Sequence, residues 1–238
     1  MKISKRLETI VDAAEKFCAP ALKVENYPET VLDLVIFHRM HFHMSPKKVK
    51  KCYSHLKSEF VDWNEVRVSM IRDIQIGLRG SYDSLELAVF IKDFLDLIHR
   101  EQHELSLESL RENNLSEIRN FLKRIKGMQP ATIELALLRL KEHPILPLSL
   151  EMEKLLVKLR LAKKTETRDR KGKRFYDLIG PDKILPLHHY LLYHTNVYTK
   201  MSEAEELPPA LSLARPKAAR GSNASAKKSS DENSKVRS

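Results

Sequence analysis

The stretch Leu122-Lys123-Arg124-Ile125-Lys126-Gly127-Met128-Gln129-Pro130-Ala131-Thr132-Ile133 joins two helical patterns and decides how the chain is read. Before the join, Ile118, Phe121, Leu122 and Ile125 form one apolar stripe; after it, Ile133 to Leu138 opens another. Gly127 permits the left-handed backbone that ends a helix. Pro130 suits the first residue of the next, where a missing N–H costs nothing. The amides of Gly127, Met128 and Gln129, and those opening the second helix, are then expected to lack intrahelical partners. A phosphate can accept from such amides, favoured by the helix dipole. Lys123, Arg124 and Lys126 place positive charge beside them. The same spacing also fits an ordinary helical hairpin.

Working outward, the rest of the chain reads as successive helices. Ser4 to Phe17 is one, and the apolar run Val31 to Phe37, begun after Pro28-Glu29-Thr30, is a second. Ser45-Pro46 opens a third that runs to Phe60, Val61-Asp62-Trp63-Asn64 breaks it, and Ser69 to Leu78 is short. The single tryptophan, Trp63, is expected to pack in a core at that turn. Leu85 to His99 is long and amphipathic, and Ser106 to Glu112 is a short helix or turn. Beyond the hairpin, Ser149 to Leu161 is helical, Lys163 to Lys173 reads as a charged loop, Phe175 to Gly180 as a short turn, and Leu187 to Thr195 as the last helix. Six glycines in 238 residues and 7% aromatics favour helix over sheet and argue against an all-β fold. With 42% hydrophobic residues the chain can bury one large core or two small ones.

The formal net charge of +10 points to phosphate or an anionic surface. From Pro208 onward the chain carries seven basic and two acidic side chains, so about half of that excess falls in a Pro-, Ala- and Ser-rich stretch with few large apolar residues. Residues 201–238 are therefore expected to form a disordered basic tail. Two cysteines, Cys18 and Cys52, cannot build a disulfide framework or a thiolate set for zinc or an iron–sulfur cluster. With no signal-peptide pattern and no apolar run of spanning length, the expectation is a soluble intracellular protein, cytoplasmic or nucleoid-associated.

The hairpin segment resembles the helix-hairpin-helix signature of the endonuclease III-like DNA glycosylases, typically Leu-Pro-Gly-Val-Gly-Pro-Lys-Thr-Ala. Ile125, Gly127, Pro130 and Thr132 fit it, and Gln129 stands for the second glycine. The apolar and then basic helices across Asp33 to Leu56 fit in order, and Leu187 to His194 is similar to the family's helix ending in Leu-His-Gly. The resemblance covers roughly residues 28 to 200. It implies an all-α, two-lobed helix-hairpin-helix DNA glycosylase fold. Residues 28–142 would form one lobe ending in the hairpin and 1–27 with 143–200 the other, with double-stranded DNA across the cleft of a monomer.

The resemblance also implies base excision by flipping the damaged base out of the duplex. Bifunctional members of the family use a lysine just before the hairpin threonine, and an aspartate opening the next helix. Those positions hold Ala131 and Ser149 here. A methyl group forms no imine, so lyase chemistry is not expected there. Glu151 is the substitute carboxylate, with Glu153 beside it. No cysteine follows Cys52, so no iron–sulfur cluster, and no other cofactor, is expected. The DNA-binding residues implied are Lys123, Lys126, Gly127, Met128, Gln129 and Thr132 at the hairpin, with Arg39, Lys47 and Lys48. In the family the stretch corresponding to His38-Arg39-Met40-His41 carries a wedge that fills the space left by the flipped base. His38, His41 and His43 form the densest histidine group but lack carboxylates or thiolates at metal-binding spacing, and no metal is expected. Three readings remain open: a DNA-binding repair protein with a degenerate catalytic pair, an active monofunctional glycosylase using Glu151, and a helical protein-interaction domain.

Overall fold

The computed structural model of the protein describes residues 5–22, 28–42, 44, 46–81, 83–198 and 211. Every regular element among them is helical: α1 (Lys5–Leu22), α2 (Val31–His41), α3 (Pro46–Glu59), α4 (Trp63–Val68), α5 (Ile71–Gly77), α6 (Ser84–Gln102), α7 (Leu115–Lys123), α8 (Pro130–Lys141), α9 (Leu150–Lys158), α10 (Arg168–Ile179) and α11 (Ile184–Tyr198). A 3-10 segment at Glu108–Glu112 precedes α7. No helix among the described residues is long and apolar enough to cross a membrane.

Short polar side chains set several of the starts. Thr30, Asp62, Asn114, Ser149 and Thr167 each accept a backbone N–H from the first turn of α2, α4, α7, α9 and α10. Two of these helices correct the sequence reading. The break expected at Val61 to Asn64 does end α3 at Glu59, but it also holds the cap of a helix that the reading lacks, α4. The charged loop expected over Lys163 to Lys173 becomes α10 from Arg168 onward, because Lys171, Gly172 and Phe175 bury one face despite the charge around them.

Two apolar cores result. The first gathers α2 to α8, with Leu32, Phe94, Ile98, Ile118 and Leu137 among its buried members. The second gathers α1, α9, α10 and α11 around Ile10, Leu155, Phe175 and Leu191, and includes Leu211. Of the expected tail, Leu211 alone is described and it is buried; the remainder lies outside the described residues. Helix α8 serves both cores, Leu137 packing in the first and Leu138 against the second. The connection from α8 to α9 is pinned where Leu146 N–H donates to Gly172 O at 3.0 Å. A Cβ at Gly172 would come within 2.6 Å of Ile145 Cγ1 and 2.7 Å of Leu146 O, so glycine alone permits this approach. Trp63 packs in the first core, as expected, and its Nε1–H donates to Asp33 Oδ1 at 2.9 Å.

Candidate nucleic-acid interface and cleft

The hairpin is built by α7, the turn and α8. Asn114 and Glu117 close a reciprocal cap on α7. Gly127 turns the chain at φ +82°, and Pro130 begins α8. Arg119 of α7 grips Glu134 of α8 through both carboxylate oxygens at 3.0 Å, locking the two helices in register. Among the described residues the amides of Gly127 and Gln129 donate to no protein group, and Lys123 and Lys126 are exposed without ion pairs. Arg124 is engaged by Glu101 at 2.5 Å.

Two expected contacts differ. The Met128 amide is taken by Ile125 O at 3.1 Å, as in a tight turn. Thr132 is 1% exposed, with its amide on Gln129 O and its hydroxyl on His38 Nδ1 at 2.8 Å. It belongs to the interior.

Where α8 begins, a cleft of about 470 Å3 opens between the lobes, within the size range of small-ligand pockets. One wall carries Gln129, Pro130 and Ala131 at the start of α8, with Arg39 and Phe42 behind them. The other carries Ser149, Leu150 and Glu151 at the start of α9, and Arg168 from α10. The two positions that the resemblance assigns to catalysis, Ala131 and Ser149, thus line one cavity. Ser149 is occupied with capping, accepting from Met152 N–H at 3.2 Å. Glu151 is partly exposed and makes no ion pair among the described residues.

Glu153 is different. Burial works against its charge, but Lys171 and Arg168 outweigh burial and hold its carboxyl below the usual carboxylate range. Lys171, 1% exposed, spends its ammonium on that pair. No lysine lines the cleft among the described residues.

Arg39 is 4% exposed, and its Nη2–H donates to Glu86 Oε1 at 2.6 Å beneath Phe90. It walls the cleft rather than reaching beyond it. His38, Met40 and His41 are buried, at 1%, 0% and 6% exposure, and cannot stand out as a wedge. His38 instead helps join the lobes. His188 Nδ1–H donates to Pro147 O at 2.9 Å, which leaves its Nε2 to accept from His38 Nε2–H at 3.2 Å. His38 Nδ1 then accepts from Thr132. Burial, reinforced by the neighbouring histidines, pushes His38 well below its ordinary pKa, and burial brings His188 to about 4. Both rings are therefore neutral at neutral pH, as this chain of donors and acceptors requires. Proximity in sequence groups His38 with His41 and His43; its hydrogen-bonded histidine partner lies on α11, and His43 is outside the described residues.

Lys48 is exposed on α3, whereas the side chain of Lys47 lies outside those described. Cys18 and Cys52 are buried in separate lobes, and burial pushes each thiol up to about 11. Two protonated thiols on different lobes do not fit a four-thiolate iron–sulfur centre.

No family model matches the chain. A curated relative from Arabidopsis thaliana, described as "Putative DNA glycosylase", is 25% identical over 146 residues, covering 61% of this chain. The match spans about half of that relative's length. Among solved structures, a trapped endonuclease III–DNA covalent intermediate superposes with a TM-score of 0.58 at 13% identity, covering 85% of this chain and 90% of that one. Helicobacter pylori 3-methyladenine DNA glycosylase bound to 1,N6-ethenoadenine gives 0.57 at 14%, covering 83% and 99%. Clostridium acetobutylicum 8-oxoguanine glycosylase/lyase in complex with DNA gives 0.52 at 16%, covering 80% and 67%. With its helices, its two cores and the cleft at its hairpin, this chain has the all-α fold of the endonuclease III-like helix-hairpin-helix DNA glycosylases.

Proposed function

We propose that this protein binds duplex DNA in base-excision repair, with the usual catalytic pair of the fold replaced by Ala131 and Ser149. The observation that carries the reading is the rim of the cleft: the free amides of Gly127 and Gln129, with Lys123 and Lys126 nearby, adjoin a cavity between two lobes. The amides suit a phosphate, and a flipped nucleotide needs such a cavity. The similarity to DNA glycosylases supports the same partner. Binding of an undamaged duplex should weaken steeply with salt and fall further when Lys123, Lys126 and Gly127 are altered together. Absent or salt-insensitive binding would leave only a protein-interaction domain.

A second reading is favoured by Glu151. Its carboxylate lines the cleft without an ionic partner among the described residues, so it can accept a proton from a water attacking the sugar as the base departs. The product would be an abasic site in an intact strand. A panel of duplexes holding different damaged bases tests this. Base release that is lost on Glu151→Gln assigns an enzyme; no release across the panel leaves a binding protein for those lesions.

A further inference from the structure

A third basic stretch, longer than those at the hairpin and on α3, lies beyond both. Residues 158–174, from the end of α9 into α10, carry nine basic and two acidic side chains. Arg168 and Lys171 are committed to Glu153, and Arg174 to Glu166. Lys158, at the end of α9, is engaged as well, which leaves Arg160, Lys163, Lys164, Arg170 and Lys173, all exposed and without ion pairs among the described residues. The segment is ordered by specific contacts. Thr167 caps α10, Glu166 N–H bonds Lys163 O, and Arg174 holds Leu161 O at 3.1 Å. Its position gives it meaning, because the first residue of α10, Arg168, lines the cleft opposite the hairpin.

We infer that this basic segment is a second phosphate-backbone contact surface, on the lobe opposite the hairpin, so that both lobes hold one duplex across the cleft. The inference rests on the duplex-DNA reading and adds a surface that the hairpin does not supply. A patch of several unneutralised cations beside a cavity recruits a polyanion by releasing its counterions, without regard to base sequence. An acidic protein could also meet such a patch. The hairpin's free amides at the rim of the same cleft favour a continuous phosphate chain, which can engage both surfaces at once.

The test uses the full chain and an undamaged duplex, with binding followed by fluorescence anisotropy across a salt series. The triple variant Lys163→Gln, Lys164→Gln and Arg170→Gln changes exposed side chains only, and its unfolding transition should match wild type. Expected is a log affinity–log salt slope shallower by about 2 to 3, roughly 0.9 for each phosphate that is no longer neutralised, with affinity reduced ~10-fold or more. The pair Lys123→Gln and Lys126→Gln should lower the slope independently. A triple variant that binds like wild type, while the hairpin pair is impaired, overturns the second surface and leaves the DNA-binding reading intact. A wild-type protein that fails to bind duplex at any salt overturns both.

Discussion

His38 and His188 meet with their Nε2 atoms 3.2 Å apart, although 150 positions separate them in the chain. His38 belongs to α2, in the first lobe, and His188 to α11, in the second. Thr132 at the start of α8 and Pro147 just before α9 occupy the ends of the same hydrogen-bonded chain. The relay therefore ties together the two helix starts that wall the cleft. Its neutrality makes it acid-sensitive. Unfolded histidine titrates near 6.5, whereas burial holds His188 at about 4 and pushes His38 well below its ordinary value. The stabilisation is complete above about pH 6.5 and is lost as pH falls toward about 4, because the unfolded chain binds the protons first. Urea midpoints should be flat above neutrality and drop through that window. His188→Leu should cost about 1–3 kcal/mol at neutral pH by stranding the His38 N–H, and should lessen the acid slope. An acid slope identical in variant and wild type would exclude this pair as its source.

The hairpin is held by Arg119 and Glu134 as well as shaped by its glycine. Their two-point contact is half-buried and bridges the helices on either side of the turn. Glu134→Gln keeps the shape and removes the charge. It should destabilise the protein by about 1–3 kcal/mol and weaken duplex binding through the hairpin. Arg119→Lys should fail to substitute, because an ammonium cannot present the planar fork. Equal stability of Arg119→Lys and wild type would reduce the contact to simple charge attraction.

Gly127 sits at φ +82° with Phe90 as its near neighbour. An added Cβ would lie 3.4 Å from Phe90 Cδ2, an ordinary contact, so any cost of substitution comes from the backbone. Gly127→Ala should lose about 1–2 kcal/mol in denaturant unfolding, and Gly127→Asn less, since asparagine tolerates the left-handed region. Equal costs would point to the contact with Phe90 instead.

What is legible in the sequence is local. Gly127 and Pro130 announce the hairpin through backbone rules that act over a few residues, and the stripes of α6 and α7 follow from spacing alone. Helix α4 hides behind Asp62-Trp63-Asn64-Glu65, in which Asp62 accepts from Glu65 N–H at 2.8 Å and Glu65 accepts from Val61 N–H at 2.5 Å, a helix start that looks like a break. Helix α10 hides because its buried face includes a lysine and a glycine, neither of which periodicity counts as core. The cleft is half legible. Ala131 and Ser149 stand out as a pair through the resemblance and do line one cavity, but the partnership of His38 with His188, and of Arg39 with Glu86, arises only when distant helices pack.

Covalent chemistry is the step that the cleft is least equipped for. A Schiff base to the sugar of a flipped nucleotide needs a primary amine inside it. Ala131 contributes a methyl group on one wall, and Ser149 on the other is held by its cap. Lys171 approaches from behind α9 but is 1% exposed and engaged by Glu153, so neither its access nor its lone pair is available for attack. Borohydride added to the protein with a duplex containing an abasic site should therefore trap no cross-linked species on a denaturing gel. Ala131→Lys would restore an amine at the rim of the cleft, but without an aspartate at Ser149 to activate it, and should trap weakly at most. A strong adduct in wild type that disappears in Lys171→Gln would show that this buried lysine leaves Glu153 to reach the sugar, and would replace water activation by Glu151 with an amine mechanism.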